Sequence, residues 1–328
     1  MQAALEKFLT AALPGAPATL AIESIPGGQS NPTFFLTYGD RRLVLRKQPP
    51  NALPSAHAID REYRVMAALA GSAVPVPDMV LYCDDRAVIG TPFYLMERIE
   101  GRVFNDPSLP GVSPADRRAM YLAMADTLAA LHAVDWAACG LADFGRPGNF
   151  FERQVGRWTR QWQLAEGAPS ADIDFLIDWL PRHIPASDVS TIAHGDFRIG
   201  NLIYHPVEPR VVGVLDWELS TLGHPAADVA YSALGWHLNA ADYMGIADLD
   251  HAALGIPSER DYLDRYRAAA TQTFAVAPFH TAFSLFRLAV IFEGIAARAR
   301  QGTASADNAS DVGRLAGRFA RLAVEQVA

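Results

Sequence analysis

Residues 192–204, I-A-H-G-D-F-R-I-G-N-L-I-Y, and residues 211–218, V-V-G-V-L-D-W-E, decide the fold of this 328-residue chain. Asp196 and Asn201 lie five residues apart, with Gly195 and Gly200 in or beside the turn. Two glycines in so short a run point to backbone that a Cβ would oppose. Leu202 to Tyr204 reads as a short strand, and Val211 to Leu215 as its antiparallel partner across a turn containing Pro206 and Pro209. Such a hairpin returns Asp216 beside Asp196 and Asn201. Two carboxylates and an amide at one sheet end are hard oxygen ligands suited to Mg²⁺.

Phosphoryl transfer uses that set: one Asp accepts a hydroxyl proton, while an Asn and a second Asp hold the metal ions that bridge nucleotide phosphates. Protein kinases place Asp, Asn and a metal-binding Asp in the same order. Either carboxylate alone reads as a turn former, and His194 alone as a core histidine; the ordered set reads as chemistry. H-G-D-x-R-x-G-N followed by L-D-W-E resembles the aminoglycoside phosphotransferase (APH) family of small-molecule kinases. The resemblance implies an α+β, bilobal protein-kinase-like fold. A small antiparallel-sheet N-lobe would span 1–99 and a larger, mostly helical C-lobe 100–328.

Composition is compatible with that reading. The chain has 28 Lys and Arg against 36 Asp and Glu, a net charge of −8, which argues against nucleic acid or an anionic membrane as the main partner. Cys83 and Cys139 form no C-x-x-C motif and read as buried free thiols. The N-terminus lacks the basic and apolar regions of a signal peptide, and no apolar run is long enough to span a bilayer. A cytoplasmic enzyme is the expectation.

In chain order, 2–12 reads as a helix, 19–25 as a strand, Thr33 to Tyr38 as a second, and R-R-L-V-L-R-K after the Gly39-Asp40 turn as a third. The turn between the first two strands carries Gly28, Ser30 and Asn31, whose N–H groups and hydroxyl are candidates for phosphate contact. It departs from the G-x-G-x-x-G of protein kinases. Period-two alternation puts Val44 and Arg46 on one strand face, and Leu43, Leu45 and Lys47 on the other. By analogy with V-A-I-K, Val44 roofs the adenine and Arg46 holds phosphates, with Lys47 the alternative if the register slips by one. Glu62, in a helix expected over about His57 to Ala70, matches the family's helix-C Glu that anchors this cation.

Residues 79–83 and 86–89 read as a hairpin, and 93–99 as the last N-lobe strand. The resemblance makes Met96 the gatekeeper, with Glu97 to Ile99 offering main-chain groups to the adenine edge. Helices are expected from Ser113 to about Ala133, then over 151–165, 171–183, 258–275, 279–300 and 311–326. The stripe of Val155, Trp158 and Trp162 reads as core packing. G-H-P-A-A-D-V-A, also typical of the family, gives Asp228 a bracing role beneath the catalytic loop. Arg198 either neutralises charge near the γ-phosphate or braces the loop.

Three functional readings compete. G-G-Q-S-N-P-T-F, V-L-R-K-Q-P-P, I-D-R-E-Y and F-Y-L-M-E-R resemble the APH-like kinase domain fused to acyl-CoA dehydrogenases in animals; the present chain reads as a stand-alone version. Those domains are associated with hydroxyacyl-CoA phosphorylation, which implies ATP, Mg²⁺ and a small hydroxyl acceptor as partners. An aminoglycoside or amino-sugar kinase would need an acidic pocket, for which 242–264 is the candidate. The helix over 279–300, with Phe279, Phe283, Phe286 and Arg287, points instead to an apolar or anionic acceptor. A nucleotide-binding pseudokinase is the third reading, and the intact Asp196, Asn201 and Asp216 weigh against it.

Overall fold

The computed structural model describes all residues except 16–17, 26–30, 50–57, 166–168 and 301–308. Helix α1 (Gln2–Ala12) precedes a five-stranded antiparallel sheet of order β1-β2-β3-β5-β4. Its strands are β1 (Leu20–Ser24), β2 (Thr33–Tyr38), β3 (Arg41–Lys47), β4 (Met79–Cys83) and β5 (Phe93–Glu97). Helix α2 (Ile59–Leu69) connects β3 to β4 in sequence. Alternation along β3 sorts its side chains into two cores. Leu43 and Leu45 join Leu5, Leu9 and Phe93 beneath α1, whereas Val44 joins Met66, Tyr94 and Met96 in the core that continues into the second half of the chain.

The expected hairpin at 79–89 is corrected. Residues Arg86–Ile89 form a one-turn helix, α3, and β4 pairs with β5. The Asp85 carboxylate accepts the Ala87 N–H at 2.8 Å, and Gly90 closes the turn in the left-handed region at φ 85°. A capped start and a left-handed stop outweigh the β propensity of Val88 and Ile89.

The second half is helical around short strands. Helix α4 (Pro114–Ala133) starts at Ser113, whose hydroxyl accepts the Asp116 N–H. It is followed by α5 (Phe150–Leu164) and α6 (Ala171–Arg182). Strand β6 (Thr191–Ala193) leads into the 194–201 turn, and the expected hairpin follows as β7 (Leu202–Tyr204) and β8 (Val211–Val214). Strand β9 (Thr221–Gly223) returns to pair with β6. Helices α7 (Pro225–Ser232), α8 (His251–Leu254), α9 (Glu259–Ala269), α10 (Pro278–Arg300) and α11 (Ala309–Glu325) complete the chain.

Phe279, Phe283 and Phe286 of α10 are buried with Phe151, Val155 and Trp158 of α5 and Phe319 of α11. The expectation that this aromatic face walls an acceptor pocket is therefore corrected: it is core, while Arg287 on the same helix donates to the Gly195 carbonyl of the 194–201 turn. Trp158 packs as expected. No helix among the described residues is long and apolar enough to cross a membrane.

Candidate active site

Main-chain geometry fixes the 194–201 turn first. Gly195 has φ +85°, and a Cβ there would sit 2.8 Å from the Leu219 carbonyl oxygen, so this position takes no side chain without strain. Below it, the fully buried Asp228 accepts the His194 N–H at 2.6 Å and the Gly195 N–H at 2.8 Å. Burial alone would raise the pKa of Asp228. Hydrogen bonding from His132, with the neighbouring His194 and the Gly195 N–H, instead holds it below the usual carboxylate range. His132 is in turn 2.7 Å from the Tyr266 hydroxyl.

His194 ties this turn to the second acidic loop. Its Nδ1 accepts the Asp196 N–H at 3.2 Å, and its Nε2 lies 2.9 Å from the Leu215 carbonyl oxygen. The Leu215 N–H returns to the Asn201 carbonyl at 2.8 Å. His194 is a core histidine, at 0 % exposure, and it couples the segments that carry Asp196 and Asp216.

The Asp196 carboxylate is held from three sides. Tyr231 Oη donates to Oδ1 at 2.6 Å, Asn201 Nδ2 donates to Oδ2 at 2.8 Å, and Arg198 Nε approaches at 3.4 Å. Burial, reinforced by Asp196, keeps the Tyr231 phenol protonated and therefore a donor. Burial disfavours the Arg198 charge, but Asp196, Tyr243 and Tyr231 more than offset that. Asn201 Nδ2 also donates to the Asp196 main-chain oxygen at 2.8 Å, so both amide hydrogens face Asp196 and Oδ1 is left as acceptor.

Across the cleft, Arg46 bridges the sheet to the second acidic loop. Its Nε is 2.8 Å from Glu62 Oε2, and Nη2 donates to Asp216 Oδ1 at 2.9 Å. Glu62, 1 % exposed, also receives Asn31 Nδ2 at 2.6 Å and the Tyr94 hydroxyl at 2.9 Å. Burial works against the Arg46 charge, yet Glu62, Asp216 and Glu218 together lift its pKa above the ordinary arginine value. Asp216 has φ 64° and ψ 64°, a left-handed conformation costing about 1–3 kcal/mol for a non-glycine residue. Such strain persists where the surroundings over-determine it, as the Arg46 contact does here.

A cleft of about 560 Å³ separates the sheet from the 194–201 turn. Val44, Arg46, Glu62, Met96, Glu97 and Ile99 line it from one side, and Gly200, Asn201, Ile203, Leu215 and Asp216 from the other. Two of the expected main-chain donors are already used: the Glu97 N–H bonds Asp78 and the Arg98 N–H bonds Arg42. Lys47 is not among the lining residues. Asp196 and Arg198 also lie outside the lining; Asp196 adjoins the cleft through Asn201, and Arg198 lines a smaller cavity of about 30 Å³ with Tyr121 and Trp236. Asn31 points to Glu62, and Gly28 and Ser30 lie outside the described residues. Reading the sequence missed Tyr231, which reaches the turn from a helix 35 residues downstream; Arg287, expected on an acceptor wall, instead reaches the Gly195 carbonyl from 92 residues downstream.

The donor set suits a hard divalent cation. Asp216 already presents its carboxylate to a cationic group, and Asn201 keeps an amide oxygen beside it in the cleft lining. No cluster of three His, Cys, Asp or Glu side chains with metal-holding geometry occurs among the described residues, so an ion here would draw its remaining ligands from water and phosphate.

Residues 21–248 match the family model of the phosphotransferase enzyme family, APH. A mouse protein named acyl-CoA dehydrogenase family member 10 is 45 % identical over 98 % of this chain and 31 % of its own length. An Arabidopsis thaliana protein named probable acyl-CoA dehydrogenase IBR3 is 44 % identical over 89 % of this chain and 38 % of its own. The chain thus spans about a third of the length of these curated relatives. A crystal structure from Ralstonia eutropha, provisionally named an aminoglycoside phosphotransferase, is 47 % identical with a TM-score of 0.92, covering 99 % of this chain and 98 % of that one. A thermostable mutant of the aminoglycoside phosphotransferase APH(4)-Ia, solved in a ternary complex with AMP-PNP and hygromycin B, shares the fold at TM-score 0.66 and 16 % identity, with 99 % of each chain covered. Fold, site geometry and family model agree: this chain belongs to the APH phosphotransferase family and is a small-molecule kinase with a protein-kinase-like α+β fold.

Proposed function

We propose that the chain transfers the γ-phosphoryl group of ATP, with Mg²⁺, to the hydroxyl of a small molecule, and that a hydroxyacyl-CoA or hydroxy acid is the acceptor. Residues 1–99 act as the nucleotide-binding lobe and 100–328 carry the catalytic turn and acceptor site. The observation that carries this reading is the joint placement of Arg46, Glu62, Asn201 and Asp216 on one cleft, with Asp196 fixed beside Asn201.

Asp196 receives the acceptor's proton as the oxygen–phosphorus bond forms and the bond to the β-phosphate oxygen breaks, releasing ADP. Tyr231 and Asn201 hold that carboxylate in one orientation, so little reorganisation accompanies attack. Arg46, secured by Glu62, receives α- and β-phosphate oxygens. Val44, Met96 and Ile99 enclose the adenine. Asn201 Oδ1 and the Asp216 carboxylate would hold Mg²⁺, which supplies charge neutralisation when bound. Arg198, paired with Asp196, braces the turn.

Carboxylate usage favours this acceptor class over a polycationic aminoglycoside. In the 242–264 stretch, Asp242 pairs with Arg318, Glu259 with His237, Asp261 with Arg118 and Asp264 with Arg267. Asp248 and Asp250 accept main-chain N–H groups. Carboxylates spent on caps and ion pairs offer little to a cationic sugar. The test is ATP consumption over hydroxyacyl-CoAs, hydroxy acids and aminoglycosides. ADP formation dependent on a hydroxyacyl-CoA or hydroxy acid is expected, and turnover confined to aminoglycosides would overturn the acceptor assignment.

A further inference from the structure

Arginines elsewhere on the described chain mostly sit on carboxylates, as Arg41 does on Glu97, Arg118 on Asp261 and Arg265 on Asp126. Arg157 of α5 and Arg287 of α10 do not. Among the described residues neither has an ion pair. Arg157 has only the Trp158 ring, 5.2 Å from its guanidinium carbon. Arg287 lies over the same indole at 5.6 Å and over the Tyr231 ring at 5.2 Å, and its one hydrogen bond goes to the Gly195 carbonyl at 2.5 Å. Two guanidinium groups thus flank one tryptophan with no counter-charge between them. Burial, and then repulsion from Arg287, push the Arg157 pKa below its ordinary value. Arg287 Nε and Trp158 Nε1 are also buried N–H donors with no acceptor, and Trp158 is itself only 7 % exposed.

Arg157 is exposed and water meets much of its charge, whereas the buried Arg287 Nε and Trp158 Nε1 donors have no acceptor, a cost that an arriving anion would relieve. The location narrows what that is. Tyr231, beneath Arg287, donates to the Asp196 carboxylate, and Arg287 holds the main chain of the residue before Asp196. Neither arginine lines the nucleotide cleft, so the phosphates of ATP are not their expected ligand. We propose that Arg157 and Arg287 form an anion subsite for the acceptor, which carries a carboxylate or phosphate that the two guanidinium groups receive while its hydroxyl meets Asp196. The anion is either the carboxylate of a free hydroxy acid or a phosphate of a carrier such as coenzyme A. This inference deepens the kinase reading and rests on it.

Calorimetry on the full chain saturated with Mg·AMP-PNP tests it with two matched pairs. 3-Hydroxybutyrate is compared with 3-hydroxybutyramide, and 3-hydroxybutyryl-CoA with 3-hydroxybutyryl-pantetheine. At least tenfold tighter binding of one anionic member than its neutral twin is expected, and the pair that shows it identifies the source of the charge. Arg157→Gln should remove most of that preference while leaving Mg·AMP-PNP affinity unchanged. Equal binding within both pairs, absence of binding by all four compounds, or a preference that survives Arg157→Gln would overturn the subsite. Failure of Mg·AMP-PNP itself to bind would overturn the kinase reading, and this inference with it.

Discussion

Asp228→Asn separates the support of the catalytic turn from the nucleotide cleft. The native carboxylate accepts two main-chain N–H groups, at 2.6 and 2.8 Å, from a site with no solvent access. An asparagine offers one oxygen, so one N–H would face an amide NH₂ in a buried site. Hydrogen bonds to a charged acceptor contribute about 1.5–3 kcal/mol each, and an unsatisfied buried donor costs about 1–3 kcal/mol. A net loss of about 3 kcal/mol follows, which for a chain of this length corresponds to a fall in Tm of about 4 °C. Displacement of the turn by about 1 Å would reduce kcat on the order of a hundredfold. Asp228 is outside the nucleotide cleft, so the Kd for Mg·ATP should change less than threefold. Thermal unfolding, steady-state turnover and nucleotide calorimetry read the three quantities. Unchanged stability and turnover would refute the bracing role, and a parallel loss of nucleotide affinity would refute the separation of the two sites.

Three further outcomes follow from the same contacts. Asp216→Ala should abolish Mg²⁺-dependent ATP binding in titration calorimetry; it also leaves Arg46 only Glu62 and the more distant Glu218 among its carboxylates. Glu62→Gln leaves the Arg46 charge without its buried counter-ion, and breaking such a pair costs about 3–5 kcal/mol, so urea unfolding should register a loss of that size together with weaker ATP binding. His224 and His280 are both held down at about 4, chiefly by burial, against an ordinary value of 6.5. Between those values the unfolded chain binds more protons, so their contribution is present above pH 6.5 and is lost as pH falls toward 4. Stability should drop by roughly 2 kcal/mol per histidine, or about 4 kcal/mol for the two, between pH 7 and pH 5, and replacing both histidines with phenylalanine should flatten the profile.

Local signals made much of the N-terminal half legible. Strand alternation, the Gly39-Asp40 turn and the apolar face of α2 each lie within a dozen residues, and the structure places those elements where the pattern did. The spacing from Asp196 to Asn201 and the hairpin to Asp216 were legible for the same reason. The short segment 86–89 misled because four residues cannot distinguish a strand from one helical turn, and the Asp85 cap decided it. Strands β6 and β9 are three residues each and pair across a separation of some thirty residues, which no local pattern encodes. Tyr231 escaped notice similarly. It looks like a core-facing helix residue until tertiary packing brings it to the turn. The Phe-rich face of α10 was ambiguous between pocket and core until α11 and α5 covered it.

The most direct test of phosphoryl transfer at this turn is single-turnover phosphorylation of the acceptor by Asp196→Asn beside its Kd for Mg·ATP. Asparagine keeps the shape of the side chain and removes the proton acceptor. A fall in rate of at least a thousandfold with nucleotide affinity within threefold of the parent chain is the predicted result; phosphorylation at near-parental rate would contradict the assignment of Asp196 as the base.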